Sequence, residues 1–147
     1  MKDKDYHAVL RVDASPREVF QNINRVTKWW TENLEGSSQK LNDEFSVRFG
    51  DVHYSKQKLV EFIPDKKVVW LVTDSQLNFV KEKSEWTGTK ISFEITEHHD
   101  CTKIKFIHFG LLPTIECYGG CSQGWDQYIK ESLFKLLTEG KGEPGLK

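Results

Sequence analysis

From Phe45 to Phe109 the chain places apolar and polar residues on alternate positions, and after Pro113 it stops doing so. A period of two marks strands with one buried face, whereas steps of three and four mark a helix with one apolar stripe. Phe45, Val47 and Phe49 alternate with Ser46 and Arg48, and Gly50-Asp51 turns the chain into a run from Val52 to Ile63 that Pro64-Asp65 ends. Val68 to Thr73 is β-branched around one Leu and one Trp. Trp86 to Glu97 sets Ile91, Phe93 and Ile95 against Lys90, Ser92, Glu94 and Thr96. After a turn at His99-Asp100, Thr102 to Phe109 sets Ile104, Phe106 and His108 against Lys103 and Lys105. Tyr118, Cys121, Trp125, Ile129, Leu133 and Leu136 then recur at helical steps and predict the longest helix, closed by Gly140 at C′ with Pro144 beyond it. Gly119 and Gly120 belong either to its first turn or to a break before it.

Ahead of this block, Tyr6, Ala8, Leu10 and Val12 alternate with His7, Val9 and Arg11 and form a first strand. Ser15-Pro16-Arg17-Glu18 supplies a Ser N-cap, a Pro at the first helical position and the Glu of a capping box, so a helix starts at Pro16 with Val19, Phe20 and Ile23 inward. A second short helical turn carries Val26, Trp29 and Trp30, and Glu35-Gly36-Ser37-Ser38 reads as a turn. The order defines an α+β domain over residues 1–147: two short helices after strand 1, and a curved antiparallel sheet of about six strands wrapped around a long C-terminal helix. A ferredoxin-like arrangement requires a helix between the middle strands, and no helical period occurs between Asp43 and Gly110.

Charge and composition exclude several classes of function. Twenty-one Lys and Arg face 22 Asp and Glu, a formal net charge of -1 with the signs interspersed, so no nucleic-acid footprint is present. No apolar run is long enough for a membrane span, the charged N-terminus has no apolar segment behind it, and a cytoplasmic location is expected. Cys101, Cys117 and Cys121 are odd in number and fit reduced thiols. Nine Phe, five Trp and four Tyr carry the burial, and a sheet lined with large rings leaves a groove where smaller aliphatics would close it.

Several local sequences are similar to one family. Ser15-Pro16-Arg17-Glu18-Val19-Phe20, Trp29-Trp30, Trp70-Leu71-Val72, Trp86-Thr87-Gly88-Thr89, His108-Phe109-Gly110-Leu111 and Gly124-Trp125 resemble the helix-grip superfamily of START-like (SRPBCC) and birch-pollen-allergen-like domains. Within it they resemble the group related to the C-terminal domain of the heat-shock-protein-90 ATPase activator. The resemblance spans nearly the whole chain. It implies a deep cavity between sheet and helix that holds a lipid, a polyketide-like molecule or another small apolar ligand. It also implies two alternatives, a chaperone-binding adaptor and a cavity enzyme of cyclase or hydrolase type.

The expected cavity lining is Trp70, Phe79, Trp86, Phe93, Phe106, His108, Tyr118, Cys121 and Trp125. His108 is in phase with Ile104 and Phe106 and points inward, either as a donor or general base in the cavity or as a core histidine held by internal hydrogen bonds, the second outweighing the first. Cys117 and Cys121 share a helix face beside Glu116, but the CxxC pairing of structural zinc sites is missing, and no metal is expected even with His98, His99 and His108 elsewhere in the chain. Ser122-Gln123-Gly124 is not a Gly-x-Ser-x-Gly elbow, and neither Gly119-Gly120 nor Gly140-x-Gly142 is a phosphate-binding loop, so no cofactor is expected. Binding is therefore expected ahead of catalysis, in a monomer or weak dimer.

Overall fold

The computed structural model describes residues 5–145. Seven strands form one antiparallel sheet: β1 (Tyr6–Val12), β2 (Leu34–Gly36), β3 (Glu44–Phe49), β4 (His53–Ile63), β5 (Lys67–Leu77), β6 (Lys90–Glu97) and β7 (Thr102–Phe109). Their order is β1-β7-β6-β5-β4-β3-β2. Consecutive hairpins build β3 to β7, and β1 closes onto β7 with Tyr6 opposite His108 and Val12 opposite Thr102. The helix α1 (Pro16–Ile23) begins as the sequence dictates: the Ser15 side chain accepts from the Glu18 backbone N–H, and the Glu18 carboxylate accepts from the Ser15 backbone N–H. A short 3-10 turn (Val26–Lys28) follows and delivers Trp29 and Trp30 to the interior.

The C-terminal helix is continuous but not uniform. α2 (Tyr118–Trp125) passes into two wide π-type turns (Asp126–Leu133) and then into α3 (Phe134–Glu139), closed by Gly140 at φ 82°. Among its buried side chains, Cys121, Trp125, Ile129, Leu133 and Leu137 form a row at four-residue steps. A strict four-residue step overshoots a 3.6-residue turn, and the wider turns absorb that overshoot, so one face stays against the sheet along the whole length.

Seven strands stand where about six were expected, because β2 forms within the segment read as a turn. Gly36, at φ 103°, allows it: a Cβ there would run into the Glu44 carbonyl oxygen of β3, so only glycine permits the approach. Other boundaries also differ. β4 starts at His53, leaving Val52 exposed in the turn, and β5 continues past Thr73 to Leu77. The strand read from Trp86 begins at Lys90 instead: Thr87 donates to the Ser84 carbonyl and Thr89 to that of Trp86, so Trp86 sits in a turn ahead of β6. Gly119 and Gly120 lie inside α2 and do not break it. Ser92, on the face of β6 that also carries Lys90 and Glu94, is buried because it sits between Val69 of β5 and Ile107 of β7.

Candidate functional site

The space between sheet and helix is filled by rings. All five tryptophans lie in one array, with Trp30 at its centre, stacked against Trp125 at 5.0 Å, Trp70 at 5.6 Å, Trp29 at 6.2 Å and Trp86 at 6.4 Å between centroids. Phe93 and Phe106 pack edge-on beneath it. Trp30, which follows the short helical turn ahead of β2, is absent from the expected lining. It occupies the middle of the interior.

What remains open is an apolar recess of about 150 Å³ at one end of the array, lined by Trp30, Phe49, His53, Phe79, Trp86, Gly120, Cys121, Gly124, Trp125 and Tyr128. Of the expected lining residues, Phe79, Trp86, Cys121 and Trp125 meet here, whereas Trp70, Phe93, Phe106 and His108 lie behind in the packed core. Phe79 is 46% exposed and forms the rim, because it lies just past the end of β5 and not within a strand. Tyr118 borders a separate surface groove with Tyr6, Pro113 and Asp126. The helix wall of the recess is thin because Gly120 and Gly124 carry no side chain there. A Cβ at Gly124 would meet nothing within 4 Å, and one at Gly120 would touch only the Phe79 ring, at 3.3 Å. A broader groove of about 870 Å³ between α1 and α3 is open and carries Glu18, Arg25, Lys28, Glu32 and Lys141, a charged solvated surface.

His108 is fully buried, and its tautomer follows from its partners. The indole N–H of Trp125, which can only donate, reaches Nδ1 at 3.0 Å, so Nδ1 is the bare nitrogen. The Thr89 hydroxyl donates to the Trp86 carbonyl at 2.6 Å and therefore accepts from Nε2–H at 2.8 Å. Both ring nitrogens are satisfied, and burial together with the nearby His53 holds the pKa down to about 3. A general base needs a free lone pair, and this histidine has none to offer. Its geometry is that of a structural core histidine.

His53 is the polar residue at the recess. Its ring packs edge-on against Trp86 at 4.6 Å, and burial lowers its pKa to about 4. His53 Nε2 and the Ser55 hydroxyl are joined by a hydrogen bond of 2.9 Å, and Gln57 Nε2 donates to the same Ser55 oxygen. Among the described residues Nδ1 has no bonding partner. The inward phase of His53, Ser55, Gln57 and Leu59 against Tyr54, Lys56 and Lys58 was visible in the sequence and would have found this ladder. Deeper in, Gln57 Oε1 and Trp70 Nε1 are buried without partners.

Cys121 closes the inner side of the recess. The Trp86 indole N–H donates to its sulfur at 3.2 Å. Cys117 and Cys121 are both buried, and the backbone N–H groups of Glu116 and Cys117 are held by the Glu85 carboxylate at 3.1 and 3.0 Å. No group of three or more His, Cys, Asp or Glu side chains able to hold a metal ion occurs among the described residues. No described helix is long and apolar enough to cross a membrane.

A curved antiparallel sheet gripping a C-terminal helix, with the site between them, is the architecture of the START-like (SRPBCC) helix-grip superfamily, and the chain has that fold. More particularly, it is similar to the Aha1 dimer from Colwellia psychrerythraea, with 26% identity over 97% of this chain and 100% of that one and a TM-score of 0.75. Two further solved structures share the fold. DynU16 of the dynemicin biosynthetic locus is 15% identical over 99% of this chain and 52% of that one, at a TM-score of 0.69. SSP2350 from Staphylococcus saprophyticus is 14% identical over 97% and 98%, at a TM-score of 0.68. No family model and no curated protein matches the sequence.

Proposed function

We propose that this domain binds a small apolar molecule, of about the size of one aromatic ring, in the recess beside Trp86 and Trp125. The observation that carries the reading is a helix wall thinned by Gly120 and Gly124 over an otherwise ring-lined surface. An apolar space of about 150 Å³ takes a guest the size of benzene. Lipids and polyketides occupy pockets of about 300–1,000 Å³ and would need the tryptophan array to part. His53 Nδ1 and the Tyr128 hydroxyl are polar atoms at the wall without hydrogen-bond partners among the described residues, and a few such atoms in an apolar pocket orient a ligand carrying one oxygen.

The test is a titration with phenol and toluene followed by the tryptophan indole N–H resonances. The Trp86 and Trp125 signals should shift. That of Trp29, bonded to the Ile23 carbonyl at 3.1 Å away from the recess, should not. Gly124→Leu should abolish the shifts. No shift with either compound at saturation in water overturns the reading.

A second reading rests on the likeness to the Aha1 dimer. It takes the domain as a protein-binding adaptor, self-associating or docking on a chaperone. Sedimentation as a monomer at high concentration, together with no binding to the host chaperone at micromolar concentration, removes it.

A further inference from the structure

Trp30, the ring at the centre of the array, belongs to a segment pinned by residues 142–145, which follow the C-terminal helix. The Gly145 N–H donates to the Trp30 carbonyl at 2.9 Å, and the Gly145 carbonyl accepts from the Glu32 N–H at 2.8 Å, so this strap pairs with the backbone on both sides of Thr31. Ser132, buried in the wide turns of the helix, ties the same parts together: its hydroxyl donates to the Trp29 carbonyl at 2.6 Å and accepts from the Glu143 N–H at 2.8 Å. Gly142 permits the close pass, since a Cβ there would stand 2.4 Å from the Lys28 carbonyl oxygen. A Cβ at Gly145 would stand 3.2 Å from the Phe49 ring and 3.3 Å from the Tyr128 hydroxyl, two walls of the recess. The strap therefore fixes where Trp30 stands and borders the recess beside it.

What Trp30 covers is not wholly apolar. On the inner face of β4, hydrogen bonds run inward from the recess wall, from His53 through the Ser55 hydroxyl to the Gln57 amide. At the end of this row Gln57 Oε1 has no partner among the described residues, and neither has the indole N–H of Trp70. Trp70 stands opposite Leu59, the next inward residue of β4, so Gln57 and Trp70 are diagonal neighbours across the ladder. A buried acceptor and a buried donor left unpaired cost stability, and one hydroxyl group satisfies both because it donates and accepts at once. The Trp30 ring, stacked on Trp70 at 5.6 Å, occupies the space through which such a group would arrive.

We propose that the interior behind Trp30 is a second, closed part of the ligand site, that it takes a flat, uncharged two-ring compound carrying one hydroxyl, and that the strap sets whether it opens. Release of the strap lets Trp30 turn aside. The vacated space is that of one indole, which sets the size of the guest, and the guest hydroxyl pairs with Gln57 Oε1 and the Trp70 N–H. A charged head group would find no counter-charge in this row and is excluded. The inference rests on the recess being a binding site and adds what limits the size of its ligand and which polar group the interior reads.

The experiment uses the full chain with phenol, naphthalene and 2-naphthol as probes, followed by the tryptophan indole N–H resonances. Ser132→Ala removes the hydroxyl that joins helix, Trp29 and strap, whereas Gly142→Ala forces the strap away from Lys28. The two act by different means, so the test stands if one of them fails to fold. Either variant should bind 2-naphthol about ten-fold more tightly than the parent, because the open form is no longer a minor state, while the affinity for phenol stays the same. The Trp70 signal should shift with 2-naphthol and not with phenol. Gln57→Leu added to either variant, which keeps the bulk but removes the acceptor, should lower the affinity for 2-naphthol to that for naphthalene. An unchanged affinity for 2-naphthol in the strap variants, with phenol still shifting Trp86 and Trp125, sinks the proposal and leaves the recess reading standing. A Trp70 N–H that contacts a bound water and stays unmoved at saturating 2-naphthol means that the pair holds only a water, and sinks it too. If neither phenol nor 2-naphthol moves any indole signal, both readings fall.

Discussion

Trp125 donates its indole N–H to Nδ1 of His108 across 3.0 Å, so one hydrogen bond between two buried rings joins the C-terminal helix to β7. The bond sets the tautomer of the histidine, and the histidine in turn holds Thr89 at the start of β6. This is a structural link, and removing it should cost stability more than activity. His108→Phe leaves the Trp125 donor unpaired in the core and deprives Thr89 of its bond, a loss of about 2–4 kcal/mol. Urea denaturation of the variant measures it, and a variant as stable as the parent would disprove the structural role.

The same burial makes the fold acid-sensitive. His108 and His53 are held at about 3 and about 4, below the ordinary value of 6.5. Below pH 6.5 the unfolded chain takes up protons that the folded chain refuses. Stability is therefore complete above pH 6.5 and declines as the pH falls through the window down to about 4 and then 3, by up to about 1.4 kcal/mol per pH unit for each histidine. His53→Gln should show the smaller slope between pH 6.5 and 5 in urea unfolding. An imidazole resonance of His108 that titrates near pH 6.5 in the folded protein would contradict this.

Trp30 stands at the centre of the array, and its removal should turn a packed interior into a cavity. Trp30→Ala is expected to cost about 3–5 kcal/mol, a large share of the stability of a domain this size. In exchange it should admit naphthalene-sized guests that the parent excludes. Thermal melts with and without naphthalene read both effects: a variant that binds no better than the parent would mean the array has collapsed into the space.

The glycines of α2 separate stability from binding. Gly124→Ala adds a Cβ that meets nothing within 4 Å and should raise stability by up to about 1 kcal/mol through helix propensity alone. Gly124→Leu gains similar propensity but fills the recess. A loss of ligand-induced shifts in the leucine variant, with no loss of melting temperature, is the expected outcome.

Much of the architecture was legible along the chain, because it depends on local period. Alternation on β1, β3, β6 and β7 named the inward faces, Ser15 to Glu18 specified the start of α1, and Gly140 specified the end of the C-terminal helix. The inward direction of His108 followed from the same phase. β2 was not legible, since a three-residue edge strand has no period of its own and depends on Gly36 meeting β3.

What the sequence determined by itself was therefore the set of faces: which residues point into the space between sheet and helix. Tertiary structure alone decided how that space is filled. Trp30 comes from a helical turn, Trp70 from β5, Trp86 from a turn before β6 and Trp125 from the helix, and only the closed fold stacks them into one array with a small recess at its end. Phase along a strand states a direction, whereas filled volume depends on how side chains distant in sequence interdigitate. The partners that hold His108 neutral and place the Trp86 indole donor on Cys121 belong to that second kind of information.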